Sequence, residues 1–149
     1  MGSLKYFFWI TDAGFLIYWF VTYFQLIPAE YVYQDYTNPI LVSWNWSFFP
    51  LDLIISLTGF TSLWLYANNR SLWRDVALIS LVLTSVSGLQ AIAFWAIRCE
   101  FDLVWWIPNG FLLLYPLYFI PRLLLAPSRL HQAAGGEPRF RPAPLRQTE

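Results

Sequence analysis

Residues Trp46 to Ser56 read WSFFPLDLIIS, an apolar run that holds one carboxylate, Asp52, two residues after Pro50. Whether an acid belongs there depends on the medium around the segment. Of the 149 residues, 58% are hydrophobic, 21% aromatic and 12% charged, whereas an average soluble domain is about one quarter charged. That composition describes a membrane protein. Four windows, Tyr6 to Ile27, Phe48 to Ala67, Asp75 to Ile97 and Leu103 to Leu125, are long enough to cross roughly 30 Å of hydrocarbon as helices of about 20 residues. Lipid offers the backbone no partners, so each spanning segment closes its own hydrogen bonds as a helix. The expected fold is all-α, a four-helix transmembrane bundle over residues 1–126.

The first window is not a secretory signal. It is too long, carries Asp12, and ends at Pro28 without a small-x-small cleavage site. The polar stretch after it all, residues 127–149, is rich in Pro, Gly and Arg and cannot bury a core, so it is expected to be a disordered basic tail.

Orientation follows from basic residues near the span ends, which are retained in the cytoplasm. Lys5, Arg70, Arg74, Arg122, Arg129, Arg139, Arg141 and Arg146 share one side of an up-down-up-down bundle, and Arg98 alone falls on the other. Both termini are therefore expected in the cytoplasm, with a long connection, Pro28 to Ser47, and a short one, Arg98 to Asp102, outside. The location implied is the cell membrane, crossed several times.

Polar residues fall in stripes at steps of three and four. The second window carries Asp52, Ser56, Gly59 and Ser62, and the third Ser80, Thr84, Ser87 and Gln90; the first carries Thr11, Gly14, Tyr18, Thr22 and Gln25. Small and weakly polar residues let membrane helices approach and hydrogen-bond, so close packing accounts for most of them. The larger groups need more. At about 1.5 Å per residue, Asp52 and Gln90 both lie roughly 22 Å from the cytoplasmic ends, and Asn109 is near that level. Asp12 lies at about 9 Å on the same count, which excludes a direct Asp12–Asp52 dyad.

An acid near mid-membrane costs roughly 2.5 to 3.5 kcal/mol on insertion scales and normally faces the bundle interior with a functional role. Two roles are open for Asp52. One is a helix-start acid after Pro50, hydrogen-bonded by its own helix and favoured by the dipole. The other is a ligand-binding or proton-carrying group in a layer with Gln90 and Asn109, with Asp12 as a second proton-carrying candidate. Trp44, Trp46, Trp95, Trp105 and Trp106 suit an interfacial belt. Trp95, Trp105 and Trp106 also flank the mouth of the Asp52 layer, where indole rings beside an acid could hold a cationic amphiphile.

Familiar catalytic chemistry is missing from the sequence. The one histidine, His131, is in the tail, and the one cysteine, Cys99, is in an outer connection. Neither has partners for a metal site or a nucleophile pair. No cofactor motif and no nucleic-acid surface is expected, so an enzyme is the less favoured class.

The segments YFFWITDAGFLIYW, DYTNPI, WNWSFFPLDL, SLWRDVALIS and FDLVWWIPNGFLLLYPLYF resemble the YvaD-like family of short bacterial four-helix membrane proteins, over about residues 4 to 121. That resemblance implies the fold and a bacterial inner membrane and brings no activity. LIPAE at Leu26 to Glu30, NP at Asn38 and Pro39, and FFP at Phe48 to Pro50 are similar to turns of the emopamil-binding, or EXPERA, superfamily, which binds or isomerises sterols and lipophilic amines. The acid that superfamily carries before the first turn is Thr22 here, so the resemblance implies a pocket for a lipophilic ligand more than an isomerase. The leading expectation is binding of a small lipophilic ligand, a cationic one included, in a polar site in the outer half of the bundle. The alternatives are a small proton-coupled transporter acting as an oligomer and a structural or regulatory membrane subunit.

Overall fold

Asn38 and Pro39 start a helix where the sequence reading places a connection. The computed structural model describes residues 1–32 and 35–125. The helices are α1 (Leu4–Tyr23), α2 (Pro39–Ser47), α3 (Phe49–Ala67), α4 (Trp73–Ile97) and α5 (Leu103–Leu125), with a short 3₁₀ turn at Ala29–Tyr31. No strand occurs among the described residues. The tail expected over residues 127–149 lies outside them.

Helix α2 begins for local reasons. The Asn38 side-chain oxygen accepts the Ile40 N–H at 3.0 Å, and Pro39 fills the first turn, where no N–H is needed. Only Phe48 separates α2 from α3, and its backbone is itself helical, at φ −76° and ψ −24°. The interruption falls where Pro50 cannot donate to Trp46 four residues back. The pair forms one nearly continuous 29-residue helical stretch, Pro39–Ala67. Asp52 therefore sits in the first turn of α3, while α2 continues the helical stretch on its N-terminal side.

Among the described residues three stretches are long and apolar enough to cross a membrane: Pro39–Ala67, Trp73–Ile97 and Leu103–Leu125. Helix α1 has 20 residues, a spanning length, but Lys5, Asp12 and its tyrosines dilute its apolar character. The outward faces are apolar too; Ile10, Ile17, Leu57, Leu89 and Leu114 are all exposed.

The helices pack in a row, α1 on α3, α3 on α4 and α4 on α5. Glycine sets the last contact, because a Cβ on Gly88 would lie 2.6 Å from the Asn109 carbonyl oxygen and from the Leu113 nitrogen. Ser85 adds a hydrogen bond to the Leu113 carbonyl at 3.1 Å. Much of each polar stripe works this way: Ser80 donates to Ile55 O at 3.3 Å and Ser62 to Trp73 O at 2.9 Å.

The row closes at the end that carries the N-terminus. Leu4, Phe8, Ala77, Leu81, Tyr115 and Phe119 form a buried cluster there. The Phe7 ring joins α1 to α5, with centroids 5.9 Å from Phe111, 5.1 Å from Tyr115 and 5.1 Å from Phe119. The Met1 amine at this end has a pKa lowered by burial, then by the nearby charges of Arg74 and Lys5. At the opposite end Arg98 pairs with Glu100 at 2.6 Å and Asp35 at 3.2 Å, so the one basic residue at that end among the described residues is neutralised locally.

Three helices end alike. Gln25, Asn69 and Cys99 adopt positive φ of 52°, 53° and 56°. The residue after each donates back five positions, Leu26 to Val21, Arg70 to Leu65 and Glu100 to Trp95. These are left-handed caps that satisfy the last carbonyls.

Candidate functional site

Asp52 is 4% exposed and is bonded across the bundle. Its Oδ2 accepts the Trp19 indole N–H from α1 at 2.9 Å, and its Oδ1 accepts the Ser87 hydroxyl from α4 at 3.3 Å. Asp52 does stand in the first turn of α3, but its carboxylate is bonded by α1 and α4 and not by its own helix. No backbone N–H of its own helix bonds the carboxylate among the described contacts, and the residue preceding α3 is Phe48, which has no capping side chain. One acid ties three helices, because a buried indole N–H and a buried hydroxyl both require an acceptor.

Beside Asp52 lies a cavity of about 310 Å³, within the size range of small-molecule sites. Its walls come from Phe15, Tyr18 and Trp19 on α1, Trp44 and Asn45 on α2, Phe48 between α2 and α3, Ser87, Ala91 and Trp95 on α4, and Trp105, Pro108 and Asn109 on α5. It is a slot between the two ends of the helical row.

Aromatic packing fixes the walls. Trp44 stacks on Phe94, with centroids 4.0 Å apart and planes at 19°, and meets Trp95 edge-on at 5.6 Å. Trp19 packs against Tyr18, Trp46 and Phe49. Asn45 accepts the Tyr18 hydroxyl at 3.1 Å on its side-chain oxygen. Its amide nitrogen and the Trp95 indole nitrogen are both buried without a hydrogen-bond partner.

Four of the six sequence-predicted binding residues meet at this slot: Asp52, Trp95, Trp105 and Asn109. Gln90 does not. It is exposed on α4, because the inward row there is Ser87, Ala91 and Trp95 at steps of four, and position 90 lies about 100° around from its neighbour 91. Trp106 is turned toward the connection, with its indole donating to the Glu100 carbonyl at 3.0 Å and its ring against Phe101. Asn109 lines the slot but spends its amide on the Trp105 carbonyl of its own helix at 2.8 Å. Sequence reasoning missed Trp19 and Asn45. The visible signal for Asn45 was an amide between two tryptophans in an otherwise apolar run, following an Asn-Pro helix start.

Asp12 occupies a separate buried place. It is 0% exposed, and neither carboxyl oxygen has a hydrogen-bond partner. Gly59 makes its room, since a Cβ there would overlap the Asp12 carboxyl. Ser56 donates to the Asp12 backbone carbonyl at 3.2 Å, and the Tyr115 hydroxyl stands near Asp12, Thr11 and Thr84. No direct Asp12–Asp52 contact is present. Among the described residues no cluster of His, Cys, Asp and Glu could hold a metal ion.

The architecture defines an all-helical protein with three membrane-span-like stretches and a buried acid beside an aromatic slot. The chain belongs to the family of unknown function DUF5360, whose model matches residues 4–130. It is 51% identical over 133 residues to the uncharacterized protein YvaD of Bacillus subtilis (strain 168), covering 89% of this chain and all 100% of that one. No solved structure matches it.

Proposed function

We propose that the chain is a multi-pass membrane protein, with both termini cytoplasmic, that binds a small lipophilic ligand in the slot beside Asp52. The observation that carries this reading is the slot itself: about 310 Å³, walled by aromatic rings, with a few buried polar groups at its margin. Apolar concavity with sparse polar groups is the usual character of a small-molecule site. Asp52 contributes by holding Trp19 and Ser87 in place, so that α1, α3 and α4 present a fixed wall.

The test is native mass spectrometry of the full chain released from its membrane, compared with Ala91→Phe. Ala91 is 4% exposed and lines the slot, so a phenyl ring there takes up ligand space. The parent retains a lipophilic small molecule and the variant loses it at similar melting temperature. A parent that retains nothing, or a variant that retains it equally, refutes the reading.

A second reading, a small proton-coupled transporter acting as an oligomer, draws on Asp12. A buried carboxyl without a hydrogen-bond partner is the kind of intramembrane acid that carries protons. Proton flux in proteoliposomes that disappears in Asp12→Asn supports it, and equal flux in the two proteins refutes it.

A further inference from the structure

We infer that the ligand of the slot presents a neutral hydrogen-bond acceptor, such as a ketone, ester or amide carbonyl, to the indole N–H of Trp95 and the amide of Asn45. The inference rests on the slot being a ligand site and concerns which chemistry that site selects.

The donors decide it. Trp95 is 4% exposed and Asn45 7% exposed, both line the slot, and the nitrogen of each side chain is buried without a partner. An indole N–H can only donate, so its missing partner is an acceptor. Buried donors are almost always paired, and an orphan at a cavity wall marks a place where something else supplies the lone pair. Neighbouring polar side chains at the slot are engaged: Trp19 and Ser87 on Asp52, Tyr18 on Asn45, and Asn109 on Trp105.

The unpaired donors do not select a cation. Asp52 is the one acid among the residues lining the slot, and its oxygens accept hydrogen bonds from Trp19 and Ser87. An alkylammonium group carries no lone pair, so whatever it gained from Asp52 it would leave the Trp95 and Asn45 donors unpaired. A carbonyl compound pairs them and lays its apolar remainder against the rings of Trp44, Phe48 and Phe15.

Three tail-matched probes separate the possibilities: a long-chain methyl ketone, the corresponding alkane, and the corresponding trimethylammonium cation. Each is titrated into the full chain in lipid nanodiscs, with bound probe counted by native mass spectrometry. The ketone binds about tenfold tighter than the alkane, the ratio expected for one net hydrogen bond, and tighter than the cation. Trp95→Phe keeps a ring against Trp44 and brings the ketone-to-alkane affinity ratio toward one; Asn45→Leu lowers the same ratio. If either variant does not fold, the three probes on the parent still decide. Alkane binding equal to ketone binding, or tightest binding of the cation, overturns the acceptor assignment while the slot remains a ligand site. Binding of none of the three overturns both.

Discussion

A single methyl group added at Gly59 tests the close approach of α3 to the Asp12 side chain. A Cβ at that position would overlap the Asp12 carboxyl. Both residues are buried, and Asp12 is 0% exposed, so the carboxyl has no open space to move into. Overpacking of this kind costs about 1–3 kcal/mol, while replacing a helical glycine with alanine returns about 1 kcal/mol of propensity. Gly59→Ala alone should therefore destabilise by up to about 2 kcal/mol. In an Asp12→Ala background the obstruction is gone, and the same change should stabilise by up to about 1 kcal/mol. The coupling across the cycle is then about 1–3 kcal/mol. Reversible unfolding of the four proteins in one detergent measures it. Additive effects within about 0.5 kcal/mol would refute the account of Gly59 as the space that admits Asp12.

Three further outcomes follow from the same geometry. Asp52→Asn should cost less than about 1 kcal/mol, since an amide oxygen can accept from Trp19 while its NH₂ donates to the Ser87 oxygen; Asp52→Leu strands the Trp19 donor and should cost about 1–3 kcal/mol by melting in detergent. Gln25→Gly should stabilise by about 1 kcal/mol, because glycine adopts the left-handed cap without the steric cost of a Cβ, whereas Asn69→Gly should change stability less, asparagine being tolerant of that conformation; equal effects would contradict the cap argument. Cys99, exposed and the only cysteine, should react with a membrane-impermeant maleimide on intact cells, and labelling that requires lysis would reverse the proposed orientation.

The four long helical segments were legible because each is an apolar run of spanning length bounded by polar residues, and the observed ends of α3, α4 and α5 fall within two residues of those read from the sequence. Helix α2 was not legible by the same test. Its run ILVSWNWS is short, and tryptophan, asparagine and serine dilute its apolar character, while the Asn38-Pro39 start that defines it is a local capping signal. Counting depth placed Asp52 and Asn109 near one another along the bundle, but depth fixes height and not azimuth, so Gln90 was assigned to a face it does not occupy. The partner of Asp52 could not be read either. Trp19 lies 33 residues earlier in the chain, and nothing in its neighbours distinguishes it from an interfacial tryptophan until α1 is laid against α3.

The position of the slot between the two end members of the helical row, with Val104 on its α5 wall 75% exposed, bears on how a ligand would arrive. In the proposed bilayer setting an opening between helices would face acyl chains, so a guest would move in sideways from the bilayer without passing through water. The relevant concentration is then that in the lipid. Each methylene of a tail adds about 0.8 kcal/mol to partitioning out of water, so lengthening the tail enriches the guest around the protein without improving any contact inside it. Occupancy would follow tail length through this reservoir, and discrimination among guests of equal tail would be left to the few polar atoms on the wall.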